Sequence, residues 1–259
     1  MKSKLRFLEK FYMTLVFIFL YAPIVVLIIF SFNESRTRGD WTGFSLKWYV
    51  KLLNDSYVLR AVYNTFIVAI IATIVSTVIG TLAAVGLMDY KKNARRILLS
   101  LNEIPVLNPD IVIAVSLMVL YKFINLPLGL FSLTLSHIAF TIPYVVLSIM
   151  PKIRMMDRNL PEAAMDLGAT PFQTLYKVII PEIKPGIISG AMLAFTLSID
   201  DFVISFFTTG SGVNTISTTV FSMAKKGINP SMNALTTIMF AVTLILLVIV
   251  NLKKDKETV

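Results

Sequence analysis

The stretch "EAAMDLGATPFQTLYKVIIP", residues 162–181, is polar and rich in helix-capping signals, although very apolar segments precede and follow it. Asn159, with Glu162 three residues later, has the spacing of a capping box and predicts the start of a helix. The residues EAAMDL are mostly good helix formers. Gly168 follows them as the expected C′ residue at positive φ, so the first helix should end there.

A second helix is predicted directly after this glycine. Thr170 can act as its N-cap, with Pro171 at the first helical position and Gln173 at the third. Pro181 is expected to end this helix. Two short helices would then meet at a glycine hinge and project into water, which predicts a docking partner on that side.

The composition identifies the surroundings of this loop. The 259 residues are 56% hydrophobic and only 15% charged, with mean hydropathy +0.78 and no cysteine. This balance excludes an ordinary soluble domain, and the lack of cysteine excludes disulfides, iron–sulfur clusters and thiol catalysis. Apolar runs of about 20 residues predict helices that cross a bilayer. Six such segments are present, at 11–32, 59–88, 104–121, 131–150, 186–208 and 232–252.

The chain is therefore predicted to be an all-α membrane protein with six transmembrane helices. Residues 11–252 would form the transmembrane domain, between short tails at 1–10 and 253–259. Sixteen of the 24 Lys and Arg residues lie in these tails and in the loops after the second and fourth segments. The positive-inside rule places that side, with both termini, in the cytoplasm. No loop combines a basic cluster with stacking aromatics, so we expect no nucleic-acid binding.

Acidic residues inside the apolar segments are candidate functional groups. Asp200 and Asp201 lie in the fifth segment, and a carboxylate at the bilayer centre costs roughly 2.5–3.5 kcal/mol. Such acids normally face a bundle interior or water, so the pair either lines a cargo path or caps and pairs locally. Asp110 lies on the same path or simply at a helix N-terminus, where the dipole favours it. Glu103 and Asp110 would share one helix face if the third segment were unbroken.

Two further polar features have simpler interpretations. The single histidine, His137, is expected to make one interhelical hydrogen bond rather than to bind a ligand. In the outer loop 33–58, Ser45 can cap a short helix. Trp48 and Tyr49 of that helix are expected to lie at the headgroup level rather than to bind substrate.

Several chemistries have no support in the sequence. The chain lacks a G-x-x-x-x-G-K-[ST] phosphate loop, so it is not expected to bind ATP. It also lacks a metal-ligand spacing and a nucleophile–base pattern. We therefore expect neither an enzyme nor a bound cofactor.

The opening stretch resembles the EAA loop of binding-protein-dependent ABC importer permeases. That pattern is Glu-Ala-Ala, three residues, Gly, nine residues and Ile-x-Leu-Pro. Five residues stand at its positions: Glu162, Ala163, Ala164, Gly168 and Pro181. Val178 and Ile180 replace its Ile and Leu.

The resemblance implies the fold of a type I ABC importer permease. The loop at about 158–185 would carry coupling helices that fit a groove on the cytoplasmic ATPase subunit. The complex would contain two such ATPase subunits, where ATP and Mg would bind. It further implies a second permease subunit and an external substrate-binding protein as partners, in addition to membrane lipid.

Three other stretches resemble the permease subunits of spermidine/putrescine importers: "WTGFSLKWY" (41–49), "PVLNPDIVIAVSL" (105–117) and "LSIDDFVISFF" (197–207). They imply a polyamine cargo, whose ammonium groups the acids above could accompany. The same machine with another cargo, such as ferric iron, sulfate or an amino acid, remains an alternative. A secondary transporter, which would need no ATPase, and a membrane-embedded enzyme are less consistent with the loop.

Overall fold

The computed structural model describes residues 2–35, 40–157, 159–225, 227 and 230–256. The regular elements in this part of the chain are all helical, and Asn33 and Phe44 form an isolated antiparallel bridge. The helices are α1 (Lys2–Ser31), α2 (Lys47–Leu53), α3 (Ser56–Gly86), α4 (Lys92–Leu107), α5 (Asp110–Phe123), α6 (Leu130–Met155), α7 (Asn159–Asp166), α8 (Pro171–Thr174), α9 (Ile180–Asp200), α10 (Val203–Thr208), α11 (Ile216–Lys225) and α12 (Pro230–Lys256), with a π-helical turn at Leu175–Ile179 between α8 and α9.

Four helical stretches in the described part of the chain are long and apolar enough to cross a membrane: Lys10–Ser31, Ser56–Gly86, Leu130–Met155 and Pro171–Asp200. The α4–α5 pair passes the same test as a single broken span. In α12, Pro230–Ile245 forms a shorter apolar helix. The prediction of an all-α membrane protein is confirmed, whereas the count of six spans stays a prediction.

The third predicted segment is sharply bent. Helices α4 and α5 meet at 100° across Asn108 and Pro109. A residue that precedes proline is driven out of the helical region, and Asn108 has extended backbone at φ −80° and ψ 144°. Glu103 ends up in α4 and Asp110 at the start of α5, so the unbroken segment in which they would share one helix face is not formed.

The chain divides into two compact units, Met1–Leu59 with Thr219–Val259, and Arg60–Thr218. In the first unit, Trp48 is buried and its indole nitrogen donates to the Asn33 carbonyl at 2.7 Å. Tyr49 shares a 2.6 Å hydrogen bond with Ser31. This internal acceptor satisfies the one polar atom of the ring and allows its burial, while the predicted headgroup level of Trp48 stays a prediction. Ser45 accepts from the Lys47 amide at 3.2 Å, near the predicted cap.

The second unit is built around α6. Glycines on the helices packed against it permit close contact. A Cβ atom at Gly80 of α3 would lie 2.7 Å from Val145 Cγ1 of α6. One at Gly190 of α9 would lie 3.2 Å from Val145 Cα. Small residues at such crossings allow dispersion contacts between helices where lipid offers no hydrophobic drive. Helix α6 is therefore the central helix of this unit, against which α3 and α9 pack closely.

The first prediction concerns this packing. Gly80→Ala should destabilise the protein by about 1–3 kcal/mol, because the stiff Val145 side chain cannot move aside. Gly86→Ala in the same helix has open space around the new methyl group and should be neutral or stabilising, by up to about 1 kcal/mol. Thermal unfolding in detergent measures both variants. Equal midpoints for Gly80→Ala and the parent would contradict the packing described here.

Candidate functional site

The predicted coupling loop begins with α7. The Asn159 amide donates to the Asp157 carboxylate at 3.0 Å, and the helix already includes Asn159. The cap is therefore supplied two residues earlier than predicted, and Asn159 is not the N-cap. Aspartate and asparagine side chains can both accept a hydrogen bond from a backbone amide at the start of a helix. Asp157 takes this role here because it lies between the end of α6 at Met155 and the start of α7 at Asn159.

The end of α7 is a Schellman motif. The Gly168 amide donates to the Met165 carbonyl at 2.9 Å, and the Ala169 amide donates to the Ala164 carbonyl at 3.0 Å. Gly168 itself has φ +89°, as predicted. This pair of bonds requires a left-handed residue at the C′ position, which favours glycine. The predicted helix end is confirmed.

The second helix starts as predicted but does not stop at Pro181. Thr170 Oγ1 accepts from the Gln173 amide at 3.2 Å, and Gln173 Oε1 accepts from the Thr170 amide at 3.0 Å. This capping box begins a helical path that continues through Pro171–Asp200. The predicted end at Pro181 is wrong. The π turn before it already shifts the backbone register, with the Ile180 amide donating to Leu175, and this accommodates a proline at the start of α9.

The loop presents both apolar side chains and a charged cleft. Leu167, Phe172 and Tyr176 are 90%, 76% and 68% exposed. Glu162 and Ala163 are also exposed, and Ala164 is partly buried. Beside them lies a cavity of about 900 Å³ between the ends of α3 and α6, the start of α4, and α7 with α8. Its charged lining residues are Asp89, Lys92, Arg95, Arg154 and Glu162.

The two adjacent acids of the fifth segment have different surroundings. Asp200 is the last residue of α9 and is exposed. Asp201 has extended backbone, and its side chain is only 6% exposed. Its carboxylate accepts from the amides of Ile204 at 3.1 Å and Ser205 at 2.7 Å, so it caps α10. Of the two roles considered for the pair, local capping applies to Asp201.

His137 of α6 lies at the junction of α9 and α10. Its Nδ1 is 2.7 Å from Ser198 Oγ of α9, and its Nε2 is 3.2 Å from Ser205 Oγ of α10. Nε2 also lies 3.5 Å from Asp201 Oδ2. The sequence indicated one interhelical hydrogen bond, and the structure gives contacts with both helices. Ser198 and Ser205 lie 61 and 68 residues from His137, so no local pattern could identify them.

The remaining candidate acid, Asp110, is exposed at the first position of α5, directly after Pro109. A carboxylate there is favourably placed by the helix dipole. Among the residues that the structure describes, no group of three His, Asp or Glu could hold a metal ion.

Comparison with known proteins gives a family for the chain. Residues 76–252 match the family described as "Binding-protein-dependent transport system inner membrane component". This range contains the predicted coupling loop, the α9–α10 junction and the whole of α5 and α6.

Curated relatives match over most of their length. The spermidine/putrescine transport system permease protein PotC of Escherichia coli K12 is 38% identical over 94% of this chain and 92% of its own. The PotC protein of Haemophilus influenzae is 37% identical over 97% and 98%. The putrescine transport system permease protein PotI of Escherichia coli K12 is 38% identical over 86% and 82%.

Solved structures share the fold at low sequence identity. A chain of a bacterial ABC transporter that imports the acidic polysaccharide alginate superposes with TM-score 0.74, at 17% identity over 98% of this chain and 96% of its own. A chain of an amino acid ABC transporter gives TM-score 0.59 at 17% identity, over 82% and 96%. The helical architecture is thus that of ABC transporter permeases, and the apolar spans indicate a multi-pass inner-membrane protein. The chain belongs to the family of binding-protein-dependent transport system inner membrane components.

Proposed function

We propose that this chain is the permease subunit of an ABC importer that moves the polyamines spermidine and putrescine across the cytoplasmic membrane. The observation that carries the proposal is the 38% identity with PotC over 94% of the chain. PotI, which is named for putrescine transport, is also 38% identical, over 86% of the chain. Relatives named for polyamine transport therefore match the region of the acids as well as the coupling loop.

In this proposal, the importer has two cytoplasmic ATPase subunits, and the coupling loop of this chain docks on one of them. The exposed apolar side chains of Leu167, Phe172 and Tyr176 suit a protein surface better than water. Glu162, Ala163 and Ala164 would border that contact, and Gly168 would set the direction in which the chain leaves α7. ATP and Mg would bind to the ATPase subunits, and this chain would carry no cofactor.

The continuous helical path supports a direct mechanical link. Pro171–Asp200 contains 30 residues, which span about 45 Å at 1.5 Å per residue. It starts at the capping box of the coupling loop and ends at Asp200. Closure of the ATPase dimer around ATP would move the first end, and the helix would transmit that motion to the second. The π turn before Pro181 would keep this helix continuous, so that the motion can be transmitted past the proline.

The exposed acids support a cationic cargo. A polyamine ammonium group that leaves water needs a replacement for its hydration, and a carboxylate supplies one. Asp200 is exposed, and it is Asp201 that caps α10 after the helix break. We propose that Asp200 faces the cargo path and that Asp110 is a second acid on it. A second permease subunit would complete the path, and an external binding protein would deliver the cargo.

Cellular uptake tests this function. The whole complex, expressed in cells that neither make nor import polyamines, should restore growth on added spermidine or putrescine. Growth should fail when the ATPase subunit carries an inactive phosphate loop. Restoration of sulfate, iron or amino acid uptake instead would support the same machine with another cargo.

The orientation of the chain is a separate prediction. Reporter fusions at Lys92 and Glu162 should report the cytoplasm, and fusions at Thr42 and Gly212 the external side, because most Lys and Arg residues lie in the first set of loops. Paired phosphatase and fluorescent-protein reporters measure both sides. A cytoplasmic signal at Thr42 would contradict the predicted topology and the cytoplasmic N-terminus.

A further inference from the structure

The break between α9 and α10 has to be held in place by side chains. Asp201 leaves the helix with φ −63° and ψ 128°, so the backbone ladder of α9 stops there. Helix α10 has only six residues, and a helix of that length is not stable alone. Its N-terminus is capped by Asp201. At its other end, the Thr208 carbonyl accepts from Ser132 Oγ of α6 at 2.8 Å.

The His137 ring has polar partners at both nitrogens. A carboxylate only accepts, so Nε2, which lies 3.5 Å from Asp201 Oδ2, carries a proton. Nδ1 is hydrogen-bonded to the Ser198 hydroxyl at 2.7 Å, and a hydroxyl can either donate or accept. His137 is only 1% exposed. Both ring nitrogens thus have partners on opposite sides of the helix break, in a place where an unpaired polar atom is costly.

We infer that His137 is a positioning residue that holds the α9–α10 break in one geometry and thereby keeps Asp200 presented to the cargo path. Asp200 is the residue directly before the break, so any rotation of the last turn of α9 moves its carboxylate. Ser198, which His137 holds, lies in that same turn. The inference rests on the proposed function only in assigning Asp200 to the path.

A labelling experiment tests the positioning without any cargo. The chain has no cysteine, so Asp200→Cys introduces its single thiol. In the assembled complex, the rate of reaction with a charged, water-soluble thiosulfonate is measured on this chain with and without His137→Leu. We expect the rate to change by about fivefold or more, because a buried network loses a partner on each side of the break. His137→Gln keeps a donor that can reach Ser205 and Asp201 and should restore a rate close to that of the parent.

Equal labelling rates for the parent and His137→Leu would overturn the inference. If His137→Leu does not assemble, Ser198→Ala removes the hydrogen-bond partner of Nδ1 at little change of volume, and an unchanged rate in that variant would overturn it equally. As controls, the unmodified chain should not label, and a cysteine at Gly212, which is exposed in the loop after α10, should label at the same rate in both backgrounds.

Transport kinetics then connect the position to the cargo. His137→Leu should raise the KM for spermidine at equal amounts of assembled complex, by about fivefold or more. In an Asp200→Asn background it should add little, since the charge that it positions is already absent. If His137→Leu raised the KM by the same factor in the parent and in the Asp200→Asn background, the link to Asp200 would be overturned. A changed labelling rate with normal transport would leave the positioning intact and contradict the proposed place of Asp200 on the path.

Discussion

Replacing Gly168 by aspartate is expected to abolish transport while the amount of chain in the membrane stays near that of the parent. Gly168 has φ +89°, a conformation that costs a residue with a Cβ about 1–2 kcal/mol. No atom lies within 4 Å of an added Cβ, so the new side chain meets no obstacle inside the chain. It would project from the surface on which we propose that the ATPase docks, with a charge beside exposed apolar groups. ATP-driven uptake and co-purification of the ATPase are the measurements.

Gly212→Asp is the matched control for this substitution. Gly212 has φ +93° and also has open space around an added Cβ. The backbone strain and the charge are therefore the same, but the position is in the loop after α10, on the predicted outer side. We expect Gly212→Asp to keep most of the uptake. Equal losses in both variants would mean that strain alone explains the result, and normal uptake by Gly168→Asp would contradict the coupling role of the loop.

Replacing Asp200 by asparagine is expected to lower polyamine uptake about tenfold or more, with normal assembly, because it removes a charge at nearly constant volume. Asp200 is exposed, so its carboxylate is not needed inside the chain. The loss should be largest for spermidine, which has more ammonium groups than putrescine. Initial uptake rates, normalised to assembled complex, measure the effect. Normal uptake would remove Asp200 from the cargo path.

Asp201 provides the neighbouring comparison. Asp201→Asn keeps an oxygen that can accept from the α10 amides, and asparagine is as good an N-cap as aspartate. We expect it to retain more uptake than Asp200→Asn. Asp201→Ala leaves those amides without their acceptor and removes one of the two partners of His137 Nε2, so it should lower the amount of folded complex, with a cost of about 1–2 kcal/mol. A greater loss of uptake in Asp201→Asn than in Asp200→Asn, at equal assembly, would reverse the two roles.

The local signals of the coupling loop were readable because they act over a few residues. The Thr170–Gln173 capping box and the positive φ of Gly168 follow from side chains at fixed offsets, and both are confirmed. The prediction that the helix stops at Pro181 was wrong, although it used a local rule that usually holds. Proline breaks a regular α-helix, but here the π turn before it changes the register of the backbone hydrogen bonds. No residue type in the sequence predicts such a turn.

The long-range contacts could not be read in this way. His137 reaches Ser198 and Ser205 only after α6, α9 and α10 have packed together, and a single sequence carries no record of that pairing. The two acids at 200 and 201 are adjacent in sequence but differ in their surroundings. Which of them turns inward depends on the backbone at Asp201, where the helix ends. The hydrogen bond that allows Trp48 to be buried could not be predicted either, because its acceptor, the Asn33 carbonyl, is a backbone atom 15 residues away.

The central claim, polyamine import driven by separate ATPase subunits, is tested most directly in proteoliposomes. The vesicles would hold this chain, its second permease subunit and two ATPase subunits, with the binding protein added outside and ATP with Mg supplied inside. We expect saturable uptake of labelled spermidine and putrescine that requires ATP and the binding protein, and little uptake of sulfate, ferric iron or histidine. ATP-dependent uptake of one of those solutes without polyamine uptake, or polyamine uptake that needs no ATP, would contradict the account.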